Sequence, residues 1–168
     1  MLEVVIGNVC ALGAILSDSL SGAQKTKQRM LLIQCVSQIF YIISSLVLRA
    51  YSATAQNVVA IFRNWFAARG KSGKVLTGVF IILPVVLGIA FNNRGAMGLL
   101  PVIGNLEYSV AMFAFPDGSL KLKLAFILNA ILFCVFNFAV LNFVGGIGCV
   151  VITAVTLTSV LKEKKERN

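Results

Sequence analysis

The alternation of long apolar runs with short basic clusters limits the folds open to this chain more than any other feature. The 168 residues are 58% hydrophobic and only 12% charged, whereas a soluble domain carries about 25% charged residues. So few polar residues cannot cover the surface of a soluble domain of this length, and much of the surface is expected to face lipid. The sequence therefore predicts an all-α membrane protein that crosses a bilayer several times.

Seven segments approach the roughly 20 apolar residues that a spanning helix needs. They cover residues 2–17, 30–48, 52–67, 75–91, 97–115, 120–141 and 143–161. The third segment is the most polar and the weakest span when judged alone. Residues 17–22, 69–74, 92–95 and 116–118 have the composition of turns. No basic residue precedes the first segment, which carries Glu3, so we expect a retained helix rather than a signal peptide.

The Lys and Arg residues gather at alternate gaps between the apolar segments. Lys25, Lys27 and Arg29 would share one side of the membrane with residues 69–74, Lys121, Lys123 and the tail at residues 162–167. The positive-inside rule then predicts an external amino terminus, a cytoplasmic carboxyl terminus and an odd number of helices. The net charge of +9 does not indicate a nucleic-acid partner, because no basic face forms on a folded domain.

Three pairs of short matches indicate an internal repeat. Ile6-Gly-Asn8 resembles Ile103-Gly-Asn105, and Lys25-x-Lys27 resembles Lys121-x-Lys123. Arg49-Ala50 and Gly145-Gly146 are expected at corresponding connections. Because each unit has an odd number of helices, two consecutive units would have opposite orientations in the membrane. They have the same orientation only if one linker helix separates them. We therefore predict two parallel three-helix bundles, residues 1–70 and 95–168, joined by a linker transmembrane helix within residues 71–94. The second unit includes the basic cytoplasmic tail.

Two further stretches resemble a known family. Residues 98–105 read Gly-Leu-Leu-Pro-Val-Ile-Gly-Asn, and residues 53–63 read Ala-Thr-Ala-Gln-Asn-Val-Val-Ala-Ile-Phe-Arg. Both resemble the YgjV family of bacterial inner-membrane proteins, and the resemblance extends from about Gly7 to about Lys162. That family is similar to the SWEET, SemiSWEET and PQ-loop (MtN3-like) transporters. The resemblance implies a multi-pass protein of the bacterial inner membrane with a SWEET-like 3+1+3 fold, and it implies a fold more than a substrate.

The SWEET resemblance carries over to individual residues only in part. SWEET sugar transporters place an Asn in the third and seventh helices at the substrate pocket. Asn57 matches in the third helix, and the position that repeats it in the seventh is close to Thr153. The hinge prolines of SWEET proteins are mostly missing here, with Pro101 alone near such a place, and no Pro-Gln dipeptide occurs.

Ionisable and amide side chains inside the apolar segments are the candidate binding residues. Glu107 would cost about 3 kcal/mol to insert, so it is a functional candidate, although a carboxylate near a helix amino terminus also stabilises the helix dipole. The Asn57 amide suits hydroxyl groups of a ligand, or an interhelical hydrogen bond. Arg63 suits a polar substrate group, but snorkelling to the interface is the stronger expectation.

Polar stripes on two helices extend this candidate set. Gln34, Gln38 and Tyr41 follow the i, i+4, i+7 spacing that places them on one face of the second helix. In the sixth helix Asn129, Phe133 and Phe136 share a face, and Asn137 lies one position after Phe136. A polar stripe on an apolar helix should face protein or water rather than lipid. The two stripes together predict a central polar pathway.

The function that these residues favour is an alternating-access carrier of a small polar solute, such as a sugar, a nucleoside or an amino acid. In transporters built from repeats the site lies near the midplane of the membrane. The alternative is a non-transporting membrane scaffold or partner subunit, in which the polar residues hold helices together. An enzyme is not expected, because the chain has no His and no pair of acidic residues within a helix interior to serve as acid and base. No cofactor is implied, the four isolated cysteines do not indicate a metal site, and a monomer or a homo-oligomer is compatible with the sequence.

Overall fold

A computed structural model describes residues 1–71, 73–116 and 119–167. In this part of the chain the regular structure is helical. The helices are α1 (Leu2–Gly22), α2 (Lys27–Val47), α3 (Tyr51–Ala68), α4 (Lys74–Ala90), α5 (Leu100–Ala114), α6 (Leu120–Ala139) and α7 (Phe143–Arg167). A short 3-10 helix, Gly95–Leu99, leads directly into α5. The seven predicted apolar segments are therefore confirmed as helices.

Five helical segments of the described chain are long and apolar enough to cross a membrane. They are Leu2–Gly22, Lys27–Val47, Gly95–Ala114, Leu120–Ala139 and Phe143–Lys165. Helix α4 is apolar but has 17 residues, a length of about 26 Å at 1.5 Å per residue. Helix α3 has 18 residues and buries several polar side chains, including Gln56 and Asn64. These apolar helices are those of a multi-pass membrane protein.

Six of the helices close into a ring. Helix α1 packs against α2 and α7, α3 packs against α2 and α5, and α6 packs against α5 and α7. Helix α4 packs across α3 and α5 instead of joining the ring. The outward face of α1 carries Val5, Val9, Leu12 and Leu16, each more than half exposed. An apolar stripe of this kind is suited to contact with lipid.

Contacts between distant residues define the two ends of the ring. At one end Arg49 at the end of α2 forms an ion pair with Glu3 at the start of α1, with 3.0 Å between Nη2 and Oε1. At the other end, here called the basic end, Lys27 Nζ donates to the Met112 carbonyl at 2.7 Å. Lys123 also pairs with Glu163 at the basic end. Successive helices therefore run in opposite directions, and most of the basic clusters lie at the basic end.

Two predicted boundaries are wrong for the same physical reason. Residues 17–22, which have the composition of a turn, form the last part of α1 because Asp18 and Ser21 point into the bundle rather than into solvent. The charged residues beyond residue 161 continue α7 because Glu163 contacts Lys123 on α6. Polar side chains that find partners inside a bundle do not end a helix.

The connections before α3 and α7 share an uncommon backbone conformation. Arg49 has φ of 53° and Leu141 has φ of 61°, in the left-handed region that non-glycine residues rarely adopt. At each connection one asparagine side chain forms two hydrogen bonds with the backbone, an arrangement here called a clasp. Asn93 Nδ2 donates to the Arg49 carbonyl at 2.6 Å, and its Oδ1 accepts from the first amide of α3. Asn8 Nδ2 donates to the Leu141 carbonyl at 3.2 Å, and its Oδ1 accepts from the second amide of α7.

These two connections correct the predicted repeat. Gly145-Gly146, the expected counterpart of Arg49-Ala50, lies inside α7. The residue before α7 that shares the backbone conformation of Arg49 is Leu141. The helices Gly95–Ala114 and Leu120–Ala139 follow α1 and α2 at the same sequence separation to within one residue. The two Ile-Gly-Asn triplets and the two Lys-x-Lys pairs are separated by several residues more than these helices are.

Helix α4 is held to the ring at two points. Gln56 Nε2 on α3 donates to the Pro84 carbonyl on α4 at 2.6 Å. One turn further along, a β-carbon on Gly88 would run into the side chains of Val102 and Gln56. The absence of a side chain at Gly88 therefore lets α4 approach α3 and α5 closely.

Candidate functional site: a polar cavity inside the ring

The centre of the ring contains a cavity to which all six ring helices contribute. Asp18 of α1, Asn57 of α3, Tyr108 of α5 and Cys149 of α7 line it, together with several residues of α2 and α6, whereas α4 contributes none. The space inside it that is wide enough to hold water is only about 40 Å³. The cavity is therefore central, polar and narrow.

The α2 wall of the cavity is polar, whereas the α6 wall mixes apolar and amide side chains. Gln34, Gln38 and Tyr41 line the cavity from α2, which confirms that the predicted stripe shares one face. Phe126, Ala130 and Phe133 line it from α6, together with Asn129 and Asn137. Phe126, Ala130 and Phe133 follow the three α2 residues by the same sequence distance that separates Leu141 from Arg49. At these three positions α6 therefore carries apolar side chains where α2 carries polar ones.

Arg63 is the main cation of the cavity wall. Its side chain is 2% exposed, and its Nη1 donates to the Asn105 carbonyl at 3.2 Å and to Ser109 Oγ at 2.9 Å. Its Nε donates to Asn64 Oδ1 at 3.2 Å. The guanidinium also lies over the Tyr108 ring, 5.0 Å from the centroid. The expectation that Arg63 snorkels to the interface is wrong, because polar groups of α5 satisfy it within the bundle.

Hydrogen bonds join Arg63 to the polar wall on α2. Asn64, whose Oδ1 accepts from Arg63, donates through Nδ2 to Gln34 Oε1 at 3.2 Å. Gln34 Nε2 donates to the Tyr108 hydroxyl at 3.1 Å. On the other side of Arg63, Asn105 Nδ2 donates to Gln56 Oε1 at 3.2 Å. This network ties α2, α3 and α5 together and fixes the orientation of the Arg63 side chain.

Asp18 is a cavity residue that the sequence reasoning did not identify. It is 6% exposed and lines the cavity. The Ser37 hydroxyl of α2 donates to its Oδ1, and the Tyr41 side chain lies against the same carboxyl group. A signal was present, because Ala11 and Ala14 are small residues on the face of α1 that Asp18 continues at helical spacing. The turn composition of residues 17–22 concealed it.

Three amides of the cavity wall have no hydrogen-bonding partner among the described residues. Asn57 is 4% exposed and lines the cavity without a protein partner. Gln38 also lines the cavity and forms no hydrogen bond within the described chain. Asn129 lines it from α6, and its Nδ2 is buried without a described partner. Most buried side-chain amides in proteins are hydrogen-bonded. These three groups therefore offer donors and acceptors to whatever enters the cavity.

The family comparison agrees with this architecture. A family model for bacterial inner membrane proteins, Imp-YgjV, matches residues 5–163. The chain belongs to the Imp-YgjV family. Membership of that family, together with the apolar helices, places the protein in the bacterial inner membrane as a multi-pass protein. Neither the curated proteins nor the solved structures gave a match.

Two of the candidate residues lie away from the cavity lining in this Imp-YgjV protein. Glu107 is half-buried on the face of α5 that also carries Ile103 and Val110, both about half exposed, and its buried Oε2 has no partner among the described residues. Thr153 is half-buried on α7, where Cys149 and Ile152 line the cavity instead. The cavity therefore brings together Asn57, Arg63 and the α2 stripe with Asn129 of α6, but not Glu107 or Thr153.

Proposed function

We propose that this Imp-YgjV protein is an alternating-access carrier of a small polar solute across the bacterial inner membrane. The observation that supports the proposal most strongly is the cavity, which is lined by six helices and omits α4. A site between two moving halves must draw residues from both. Sites of this kind in repeat-built transporters lie at the repeat interface near the midplane of the membrane.

The proposed halves are α1–α3 and the segment from the 3-10 helix to α7, arranged as parallel SWEET-like bundles with α4 as the linker. The reciprocal clasps support this division. Asn8 of the first half holds the α6–α7 connection, and Asn93, just before the second half, holds the α2–α3 connection. Such an exchange is expected when two similar units face each other across an approximate two-fold axis.

The proposed orientation places the basic end in the cytoplasm and the amino terminus outside. Cytoplasmic loops carry an excess of Lys and Arg, and the basic end holds the clusters around Lys27, Arg69 and Lys121. The stacking of Arg69 on Trp65, with 4.2 Å from guanidinium to ring centroid, supports an interfacial position for that end. Tryptophan is enriched at membrane interfaces.

A scaffold or partner subunit is the second candidate function. The Gln34, Asn64, Arg63 and Asn105 network joins three helices, and interhelical hydrogen bonds of this kind stabilise membrane bundles by about 1 kcal/mol each. The narrowness of the cavity also favours this reading. The unpartnered Asn57 amide favours the carrier, because a residue that only held helices together would have a partner. Neither candidate requires catalysis, and we propose that the protein is not an enzyme.

Uptake by liposomes containing the purified protein tests the carrier proposal. A panel of radiolabelled sugars, nucleosides and amino acids should include at least one solute that enters above the protein-free rate. Asn57→Ala should lower that uptake severalfold because the amide faces the cavity, whereas Glu107→Ala should leave it nearly unchanged. No uptake of any solute, together with co-purification of one fixed partner protein, would favour the scaffold.

A further inference from the structure

Two side chains of opposite charge line the cavity without forming an ion pair. Asp18 contributes a carboxyl group from α1, and Arg63 contributes a guanidinium from α3. They are 6% and 2% exposed. The ion pairs of the described residues join other side chains. Burial of a charge without its counter-charge is costly, and more so within a membrane span.

The described neighbours of Asp18 do not balance its charge. Its polar contacts are the hydroxyl groups of Ser37 and Tyr41 on α2, and Cys149 of α7 lines the same cavity. Hydroxyl groups donate hydrogen bonds to a carboxylate but carry no positive charge. A ligand with a positively charged donor would therefore complete this side of the cavity.

Arg63 retains unused donors for a ligand. The bonds to Asn64, Asn105 and Ser109 involve Nε and Nη1, so Nη2 has no acceptor among the described residues. Glu107 is close enough to influence Arg63 electrostatically, but it lies on the outward face of α5 and does not pair with it. A ligand carboxylate could accept from Nη2 and supply the missing negative charge.

We infer that the cavity binds a small zwitterion, with its ammonium group against Asp18 and its carboxylate against Nη2 of Arg63. The class that fits is the α-amino acids. The inference rests on the proposed function and narrows it, because a neutral sugar or nucleoside offers no ammonium group to Asp18 and no carboxylate to Arg63. Asn57 supplies a further donor and acceptor from α3.

The shape of the cavity favours the smaller members of this class. Only a small part of the space is wide enough for water, so a short side chain requires the least opening of the ring. Among the α6 residues of the cavity, Phe126, Ala130 and Phe133 are apolar, and a methyl group can pack against them. L-Alanine is therefore the reference probe.

The test compares L-alanine with two analogues that each lack one charged group. Propionate keeps the carboxylate and ethylamine keeps the ammonium group. Binding to the purified full chain in lipid nanodiscs is measured by isothermal titration calorimetry, which avoids passive permeation of the analogues. We expect L-alanine to bind at least about tenfold more tightly than either analogue, which corresponds to about 1.4 kcal/mol.

Variants assign each charge to its partner. Asp18→Asn should abolish the preference for L-alanine over propionate, and Arg63→Gln should abolish the preference over ethylamine. Glu107→Gln removes a carboxyl group outside the cavity and should leave both preferences unchanged. If Arg63→Gln does not fold because its contacts with α5 are lost, the binding of L-alanine, propionate and ethylamine to the unmodified protein and to Asp18→Asn still tests the zwitterion inference.

The outcomes separate the inference from the proposed function. Equal binding of L-alanine and propionate to the unmodified protein, or an unchanged preference in Asp18→Asn, overturns the zwitterion site. If liposomes take up a neutral sugar and the protein does not bind L-alanine, the zwitterion inference is overturned, but the carrier proposal is supported. Selective L-alanine binding without uptake of any solute supports the site and contradicts transport.

Discussion

The buried ion pair between α6 and α7 gives a quantitative test of how the basic end is built. Lys123 Nζ donates to Glu163 Oε1 at 2.8 Å and to Ser159 Oγ at 2.7 Å. The Lys123 side chain is 5% exposed and the Glu163 side chain 15% exposed. Glu163→Gln removes the negative charge and leaves the lysine charge buried without a counter-charge.

The expected loss of stability follows from the burial of the Lys123 and Glu163 side chains. Breaking a buried ion pair from one side costs about 3–5 kcal/mol, and the position near the end of the bundle favours the lower value. We therefore expect Glu163→Gln to lower the free energy of unfolding by about 3 kcal/mol, roughly a hundredfold in the equilibrium constant. Lys123→Met should cost less, because Glu163 is the more exposed partner and can turn toward water. The double variant should recover most of the loss.

The Glu3–Arg49 pair at the opposite end provides the matched control. Its side chains are 61% and 68% exposed, so Glu3→Gln should cost less than about 1 kcal/mol. Equilibrium unfolding of the purified protein, followed by the fluorescence of Trp65, the single tryptophan, measures all four variants. A loss in Glu163→Gln no larger than the loss in Glu3→Gln would refute the reasoning and show that Lys123 reaches water.

Three further changes test the backbone and the packing by the same unfolding measurement. Leu141→Gly should stabilise the protein by about 1 kcal/mol, because glycine adopts positive φ without strain and the leucine side chain is 53% exposed; a destabilised variant would contradict this. Asn8→Ala should cost about 1 kcal/mol or more, because it removes both bonds to the α6–α7 connection, and a neutral result would count against the clasp. Gly88→Ala should destabilise by about 1–3 kcal/mol, because the new methyl group meets Val102. Gly78→Ala, where nothing lies within 4 Å, should be neutral or stabilising, and equal effects at the two glycines would contradict the packing of α4.

The number and order of the helices could be predicted because the signal is long and local. Each apolar run approaches the length of a membrane span, and the bilayer requires backbone groups to be satisfied within a helix. The stripe formed by Gln34, Gln38 and Tyr41 was placed on one face by helical spacing alone, and these residues do share the cavity. Helical periodicity therefore identified one wall of the candidate site.

Other parts of the site could not be predicted because they depend on neighbouring helices. Asp18 has the sequence context of a turn, and only the Ser37 hydroxyl on α2 explains its burial. Arg63 near the end of a short helix is expected to reach the interface, but polar groups of α5 retain it. Glu107 is the opposite case. Its helical spacing from Ile103 and Val110 could be read from the sequence, but the sequence does not show that this face of α5 lies at the surface of the bundle.

The register of the repeat shows a further limit of short sequence matches. The Ile-Gly-Asn triplets and Lys-x-Lys pairs of this chain are separated by several residues more than the helices that contain or follow them. The backbone conformation shared by Arg49 and Leu141 has no residue signature, because neither position is a glycine. The regular separation of the helices is therefore visible in the helix bounds rather than in the residues.

Cysteine accessibility tests most directly whether the centre of the ring is a polar cavity reachable from water. The four native cysteines are replaced by serine, and Gln38→Cys and Ile39→Cys are introduced singly on that background. Gln38 lines the cavity, whereas its neighbour Ile39 is 53% exposed on the outer surface. A charged, membrane-impermeant thiol reagent should modify Gln38→Cys in native membranes and leave Ile39→Cys unmodified. Protection of Gln38→Cys, or modification of Ile39→Cys alone, would contradict the account.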